Sequence, residues 1–181
     1  MHEVIVCEKP TSAEKIAKAL SPSAKKKVYN KKVKYWELKK DSKDITVVSA
    51  VGHLYSLTPD NPKDKVYFDL HWAPAYEVNK RGSGFTKDYV RAIKKLGKNA
   101  DSYIHACDYD TEGTLIGYNA LKYACGQNNL SKISRMKFST LTKKDLICDN
   151  LSVNENGELL FASQNTVELA KQYGTPLYLM D

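Results

Sequence analysis

Short runs of apolar residues alternate along the chain with stretches in which apolar residues recur at helical spacing. Residues 4–6 are β-branched and bounded by charged residues, which is typical of a strand buried on both faces. Residues 16–20 carry an apolar stripe at helical spacing, and Thr11 with Glu14 three residues later forms the pattern of a capping box. The chain is therefore predicted to open with a strand that leads into a helix beginning near Thr11.

The same two patterns predict further elements downstream. These are a hairpin over 33–50 with its turn at Asp41 and Ser42, a helix over 86–97, a strand over 103–107, a helix over 115–124 that stops at Gly126, and a strand over 133–138. Proline and glycine residues between 58 and 84 predict a long excursion with little regular structure. The alternation of strands and helices predicts an α/β fold with a mainly parallel sheet flanked by helices.

Composition assigns the chain to the soluble globular class. Of its 181 residues, 42% are hydrophobic and 27% are charged, which excludes a disordered chain. No apolar run reaches membrane-spanning length and the first residues lack the layout of a signal peptide, so no membrane partner is expected. The four cysteines form no Cys-x-x-Cys pair, which argues against a zinc site and predicts reduced thiols in a cytoplasmic protein.

The net charge of +7 is distributed unevenly. Residues 1–145 carry a net +11 and residues 146–181 a net −4. A basic domain suggests a polyanionic partner, because each phosphate that lysine or arginine neutralises releases counterions; a lysine-rich solvated surface is the alternative reading. Residues 25–43 hold nine of the lysines, interleaved with Tyr35 and Trp36. These two aromatic side chains could stack on bases or pack against the sheet, and packing against the sheet is favoured.

Acidic residues cluster where the predicted strand over 103–107 gives way to a helix. Asp108, Asp110 and Glu112 alternate there, and Glu8 follows the first strand at the equivalent position. Extended backbone would direct alternate carboxylates to one side, and a hard cation such as Mg²⁺ would relieve their repulsion. The alternative is a solvated acidic turn that caps the helix. A calcium loop of the EF-hand type is excluded, because its twelfth position is Asn119.

Several segments, in this order, resemble one family, the Toprim domain of type IA DNA topoisomerases in its archaeal form. The segments are VCEKP at 6–10, AVGHL at 50–54, HACDYDTEG at 105–113, GYN at 117–119 and RMKF at 135–138. The resemblance covers about residues 2–145, and it implies a Rossmann-like parallel sheet carrying an inserted lysine-rich hairpin. Residues 146–181 are then predicted to be a short non-Toprim appendage.

The resemblance also implies roles for particular residues. The implied magnesium ligands are Glu8, Asp108, Asp110 and Glu112, and these four with Lys9 form the implied catalytic set. Glu8 is expected to assist proton transfer at the scissile phosphate, while Lys9, His53 and Arg135 are expected to contact DNA. His105, within an apolar strand, is instead expected to be a core histidine. Many bacterial members carry a second glutamate after the glycine of this motif, where this chain has Thr114; we interpret this as a subgroup trait.

The nucleophile of this family is a tyrosine on another domain, and none of the twelve tyrosines lies in a resembling context. Residues 146–181 resemble instead the N-terminal edge of diaminopimelate decarboxylase, chiefly in GTPLY at 174–178, and the charge reversal falls at the same junction. A divergent topoisomerase linker is the alternative origin of this segment. The chain is therefore expected to lack the downstream topoisomerase domains and to add no decarboxylase activity.

Three functions follow from these observations. The first is a monomeric topoisomerase fragment that binds Mg²⁺ and single-stranded or underwound DNA but does not cut alone. The second is a stand-alone Toprim nuclease or primase-like enzyme, in which metal-activated water replaces the tyrosine. The third is a basic DNA-binding module without catalysis.

Overall fold

The computed structural model describes residues 1–61, 69–79, 81–138, 152–153 and 159–160. The strands are β1 (His2–Cys7), β2 (Lys25–Tyr29), β3 (Val33–Lys40), β4 (Lys43–Ser49), β5 (Tyr55–Pro59), β6 (Leu70–Pro74), β7 (Ser102–Ala106), β8 (Ile133–Lys137), β9 (Ser152–Val153) and β10 (Leu159–Leu160). The helices are α1 (Pro10–Leu20), α2 (Ala75–Val78), α3 (Thr86–Gly97) and α4 (Thr111–Asn119). A π-helical turn (Ala120–Ala124) extends α4, and a 3₁₀ helix (Gln127–Lys132) leads into β8.

The main sheet has the strand order β2-β3-β4-β1-β7-β8-β10-β9. Its centre is parallel, because β1 pairs in parallel with both β4 and β7, and β7 with β8. The hairpin of β2, β3 and β4 is antiparallel and forms one edge. The predicted mainly parallel sheet flanked by helices is thus confirmed, and β5 and β6 form a separate antiparallel pair.

Strand β1 is buried on both faces, as its apolar run predicts. Val4 and Val6 pack into the core layer formed with α3 and α4, while Ile5 and Cys7 pack into the layer formed with α1. All four are at most 1% exposed. Complete burial of one such aliphatic side chain contributes about 1.5–3 kcal/mol, so the two layers clamp β1 at the centre of the sheet.

Helix α1 begins two residues earlier than the capping pattern predicts, and the predicted capping box is absent. Its first residue is Pro10, which needs no partner for a backbone N–H and whose fixed φ suits the first helical turn. Lys9 occupies the N-cap position without a side-chain cap. The Glu14 carboxylate instead accepts a hydrogen bond of 2.5 Å from Lys18 one turn later.

The predicted hairpin over 33–50 is confirmed as β3 and β4, with its turn at Asp41 and Ser42 in left-handed backbone. Trp36 is 1% exposed and packs against α1, which confirms for this residue the expected packing against the sheet in place of base stacking. Strand β2 was not predicted, because its KKKVY sequence shows no apolar alternation. It is an exposed edge strand whose lysines discourage pairing with other chains.

The predicted irregular excursion over 58–84 is wrong for part of its length, since β6 and α2 lie within it. Strand β6 ends at Pro74, which pairs with Tyr55 of β5. Proline is tolerated in such an edge strand, but its presence there argues against a strand when only the sequence is considered. The helix over 86–97 and the strands over 103–107 and 133–138 are confirmed to within a residue or so. In the part of the chain that the structure describes, no helix is long and apolar enough to cross a membrane.

Predictions about residues 139–150, including the boundary at 145, lie outside the described residues. Of the predicted appendage, only β9 and β10 are described. Strand β10 pairs in parallel with β8, and β9 pairs antiparallel with β10, so both continue the main sheet.

Candidate metal and phosphate site

Three turns meet at the carboxyl edge of the parallel strands. Glu8 and Lys9 follow β1, residues 51–53 follow β4, and residues 108–110 follow β7. Because the central strands are parallel and in register, their ends lie side by side, and ligands of open α/β sheets gather at this edge.

Glu8, Lys9 and Asp108 form one ionic cluster across the ends of β1 and β7. The Lys9 Nζ lies 3.0 Å from Glu8 Oε1 and 2.8 Å from Asp108 Oδ2. The Glu8 side chain is 14% exposed, whereas that of Lys9 is 56% exposed. The hydrogen bonds to Asp108 and then Glu8 raise the pKa of Lys9 above its usual value. Two carboxylates from neighbouring strands therefore converge on a single cation.

Asp110 caps helix α4. Its backbone is extended, and its Oδ1 accepts a hydrogen bond of 2.6 Å from the backbone N–H of Gly113. A Cβ at Gly113 would overlap the backbone carbonyl of Asp108, so only glycine lets the turn fold back this closely. The capping role weighed as the alternative to a metal site is thus present at Asp110.

Glu112 lies in the first turn of α4 and not in extended backbone. The extended backbone expected across all three alternating acids therefore ends before this residue, because α4 begins at Thr111. Its carboxylate lies 2.5 Å from His53 Nε2. The Glu112 side chain is 74% exposed, so this pair lies at the surface of the site.

His53 reaches Glu112 through an unusual turn. Val51 and Gly52 both have positive φ, at 60° and 83°. A β-branched residue in this region is strained, and such strain is common at functional sites. The backbone N–H of Val51 donates a hydrogen bond of 2.8 Å to the carbonyl of Glu8, which fixes the turn against the end of β1.

His105 and Arg135, which are register partners on β7 and β8, form a contact beneath the acidic turn. His105 is 5% exposed, as expected of a core histidine. Its Nε2 lies 3.0 Å from the carbonyl of Thr114, while Arg135 contacts Nδ1. Burial, followed by the charge of Arg135, lowers the pKa of His105 to about 4, so the ring is neutral at neutral pH.

Arg135 also supports the backbone of the acidic turn. Its Nη2 donates a hydrogen bond of 2.9 Å to the carbonyl of Asp108, and its guanidinium lies 5.5 Å from the centroid of the Tyr109 ring. Sequence reasoning predicted a DNA contact for Arg135 and missed its link to His105. The parallel register of β7 and β8 creates this link, and no local motif signals it.

The match to known proteins decides the family. A family model described as the Toprim domain matches residues 3–141 of the chain. The chain belongs to the Toprim domain family. The resemblance predicted from the sequence motifs is thereby confirmed for this part of the chain.

The Toprim domain is also similar to archaeal proteins named DNA topoisomerase 1. The protein of Methanothermobacter thermautotrophicus is 59% identical over 146 residues, which cover 81% of this chain and 20% of that protein. The protein of Methanocaldococcus jannaschii is 47% identical over 150 residues, covering 81% and 19%, and that of Aeropyrum pernix is 37% identical over 143 residues, covering 78% and 20%. The chain thus spans about a fifth of the length of these relatives.

Toprim domains of topoisomerases bind a divalent metal, usually Mg²⁺. Glu8 and Asp108 fit such an ion, because their carboxylates already share one cation and Mg²⁺ is commonly held by one or two carboxylates together with substrate phosphates. Asp110 and Glu112 have other partners, and within the described residues no three acidic, histidine or cysteine groups form a metal cluster. The geometry favours a partial protein site that phosphate oxygens complete.

The residue roles implied by the family resemblance stay predictions, as do the boundary at residue 145 and the decarboxylase resemblance of the tail.

Proposed function

We propose that this Toprim domain supplies the metal-binding and phosphate-binding part of a type IA DNA topoisomerase site. The observation that carries the proposal is the cluster in which Lys9 joins Glu8 to Asp108 across β1 and β7. The proposed metal ligands are Glu8 and Asp108, with Asp110 and Glu112 joining when the ion and a phosphate are bound. The proposed ion is Mg²⁺.

Each group of the cluster has a chemical task in phosphodiester transfer. A bound Mg²⁺ would neutralise charge on the phosphate oxygens. Lys9 carries a second positive charge to the same place, where its hydrogen bonds to Asp108 and Glu8 favour the charged form. Glu8 is largely shielded from solvent and hydrogen-bonded to Lys9, which suits a group that moves a proton to or from the departing oxygen. The nucleophile is proposed to be a tyrosine outside the Toprim domain.

The proposed partner is single-stranded or underwound DNA. Lys9 and His53 are exposed at the edge of the site and are the proposed phosphate contacts. Arg135 joins them through its guanidinium beside Tyr109 while it supports the turn. The similarity to DNA topoisomerase 1 proteins and the net charge of +7 support this partner. A cytoplasmic monomer is part of the same proposal.

The binding of a fluorescent single-stranded oligonucleotide, measured by anisotropy with and without Mg²⁺, tests the proposal on the 181-residue chain. We expect Mg²⁺ to tighten binding in the unmodified chain and to have little effect on Asp108→Asn. Asp44→Asn is the matched control, because Asp44 is an exposed carboxylate near the amino end of β4, at the opposite edge of the sheet. It should keep the full Mg²⁺ effect.

The same preparation is tested for DNA cutting with a supercoiled plasmid. Neither relaxation nor nicking by the chain alone is expected. Nicking that depends on Mg²⁺ and leaves no protein attached to DNA would favour the nuclease alternative. Binding that Mg²⁺ does not change in any variant would favour the basic DNA-binding module and would contradict the proposed metal site.

A further inference from the structure

A cleft of about 750 Å³ opens beside the acidic turn, between that turn and helix α4. Two tyrosines line it, Tyr109 from the turn and Tyr118 from α4. They are 57% and 43% exposed, so both rings are accessible to a ligand in the cleft. Thr111, Thr114 and Leu115 complete the wall between them.

A positively charged side chain lies over each tyrosine ring. The Arg135 guanidinium lies 5.5 Å from the centroid of Tyr109, and the Lys122 ammonium lies 5.3 Å from that of Tyr118. These contacts place a positive charge beside each ring, and the Asp110 carboxylate lies on the same lining. An aromatic cleft with cations beside its rings complements a planar base attached to an anionic backbone.

The cleft is continuous with the proposed metal site. Tyr109 lies between Asp108 and Asp110, and Asp110 itself lines the cleft. Arg135 belongs to both, because it lines the cleft and donates a hydrogen bond to the Asp108 carbonyl. A strand with one phosphate at Lys9 would therefore carry its neighbouring nucleotides past the mouth of the cleft.

We propose that this cleft binds one unpaired nucleobase of a single-stranded nucleic acid by stacking on Tyr109 and Tyr118. The inference rests on the proposed function, since it places the strand's phosphate at the Lys9 cluster. A base held in a duplex is stacked and paired and does not enter the cleft. The two tyrosines thus give the domain a preference for single-stranded over duplex DNA, with little preference among bases because every base has an aromatic face.

The test places 2-aminopurine singly at each position of an oligonucleotide of about eight nucleotides, since the fluorescence of this base falls when it stacks. With the full chain, strong quenching is expected at one or two adjacent positions. Tyr109→Ala and Tyr118→Ala should remove this quenching and weaken single-strand binding about 5- to 150-fold, with little change in duplex binding. Tyr109→Phe and Tyr118→Phe keep the ring and should bind within about twofold of the unmodified chain.

Phe85→Ala is the matched control, because Phe85 is 51% exposed and lies outside the lining of the cleft. It should change neither quenching nor affinity. Thermal unfolding of each variant shows that it is folded, as expected for exposed positions. An abasic site at the quenched position should weaken binding as much as the alanine variants, and thymidine monophosphate alone should bind far more weakly than the oligonucleotide.

Two results would overturn the inference and leave the proposed function intact. In one, the alanine variants bind the oligonucleotide with unchanged affinity while Asp108→Asn still loses the Mg²⁺ effect. In the other, the mononucleotide binds as well as the strand, which would make the occupant a free nucleotide. If the unmodified chain binds no single-stranded DNA at all, the proposed function and the inference both fail.

Discussion

At the scale of single residues, the site depends on the close approach of Gly113 to the turn that precedes it. The backbone N–H of Gly113 donates a hydrogen bond to the Asp110 carboxylate. The Asp108 carbonyl fills the space that a side chain at Gly113 would need. A methyl group here would push the acidic turn away from α4. The glycine therefore sets the position of the backbone that carries two of the proposed metal ligands.

Gly113→Ala should accordingly lower the free energy of unfolding by about 1–3 kcal/mol, measured by urea denaturation, because the overlap is with backbone and cannot be relieved by a side-chain rotation. Gly84→Ala is the control, since a Cβ at Gly84 has open space within 4 Å. It should be neutral or slightly stabilising. Equal stability of the two variants would show that the turn does not pack as described.

His105 predicts a dependence of stability on pH. Its pKa is about 4 in the folded protein against an ordinary value of 6.5, so the unfolded chain binds the extra proton first as the pH falls. The resulting stabilisation is present above pH 6.5 and is lost progressively towards pH 4. Between pH 7.5 and 5 the loss from this residue should be about 2 kcal/mol.

Urea unfolding at these two pH values measures the loss. His105→Gln should be less stable overall, but its stability should fall less between the two pH values than that of the unmodified chain. The loss of stability between the two pH values in the unmodified chain, minus the loss in His105→Gln, gives the contribution of His105 apart from the other titrating groups. An identical fall in both proteins would mean that the ring has the same pKa in the folded protein as in the unfolded chain.

The roles of single residues were only partly predictable from the sequence. The burial of His105 followed from its apolar neighbours, and the proximity of Glu8 to Asp108 followed from their equivalent positions after two parallel strands. The pairing of Glu112 with His53 did not, because it depends on the backbone changing from strand to helix at Thr111 and on the positive φ of Val51.

At the scale of elements, a buried carboxylate of α3 ties the β2–β3 turn of the lysine-rich hairpin to the body of the domain. Asp88 of α3 is 7% exposed and accepts hydrogen bonds of 2.8 Å from Asn30 Nδ2 and Lys32 Nζ, which lie in and beside the β2–β3 turn. These contacts lower the pKa of Asp88 below its usual value. They fix a turn whose residues Asn30 and Lys31 both have positive φ.

Asp88→Ala should therefore loosen the hairpin. Hydrogen–deuterium exchange of the β2 amides should become several-fold faster, because the edge strand loses its attachment to α3. Exchange in β1 should change much less, since β1 is covered on both faces. Asp44→Asn, which alters an exposed carboxylate on β4, is the control and should leave β2 unchanged. Unchanged exchange in Asp88→Ala would show that strand pairing alone holds the hairpin.

The elements with strong apolar periodicity were predicted well, and those without it were not. Strands β1 and β7 and helix α3 each present apolar residues at the spacing of their structure, because they face the core. Strand β2 pairs through its backbone while its lysines face solvent, so its sequence contains no such pattern. Strand β6 and helix α2 are too short, and too rich in proline at their junction, to show one.

At the scale of the whole molecule, the sheet brings three sequence-distant turns to one edge and gives that edge both acids and positive charge. The Toprim family model matches residues 3–141, which include all three of these turns. The sequence predicted this fold class because its motifs occur in the family's order. The origin of the acidic tail remains a prediction, although β9 and β10 continue the same sheet.

The central claim is that Glu8 and Asp108 hold a divalent metal ion at this edge. Electron paramagnetic resonance of Mn²⁺, titrated into the chain with a single-stranded oligonucleotide present, measures the bound ion directly. We predict one bound Mn²⁺ per chain, displaced by Mg²⁺ and held at least about tenfold more weakly by Glu8→Gln and by Asp108→Asn, with Asp44→Asn unchanged. Binding of Mn²⁺ with equal affinity by all four proteins, or no binding by any of them, would contradict the account.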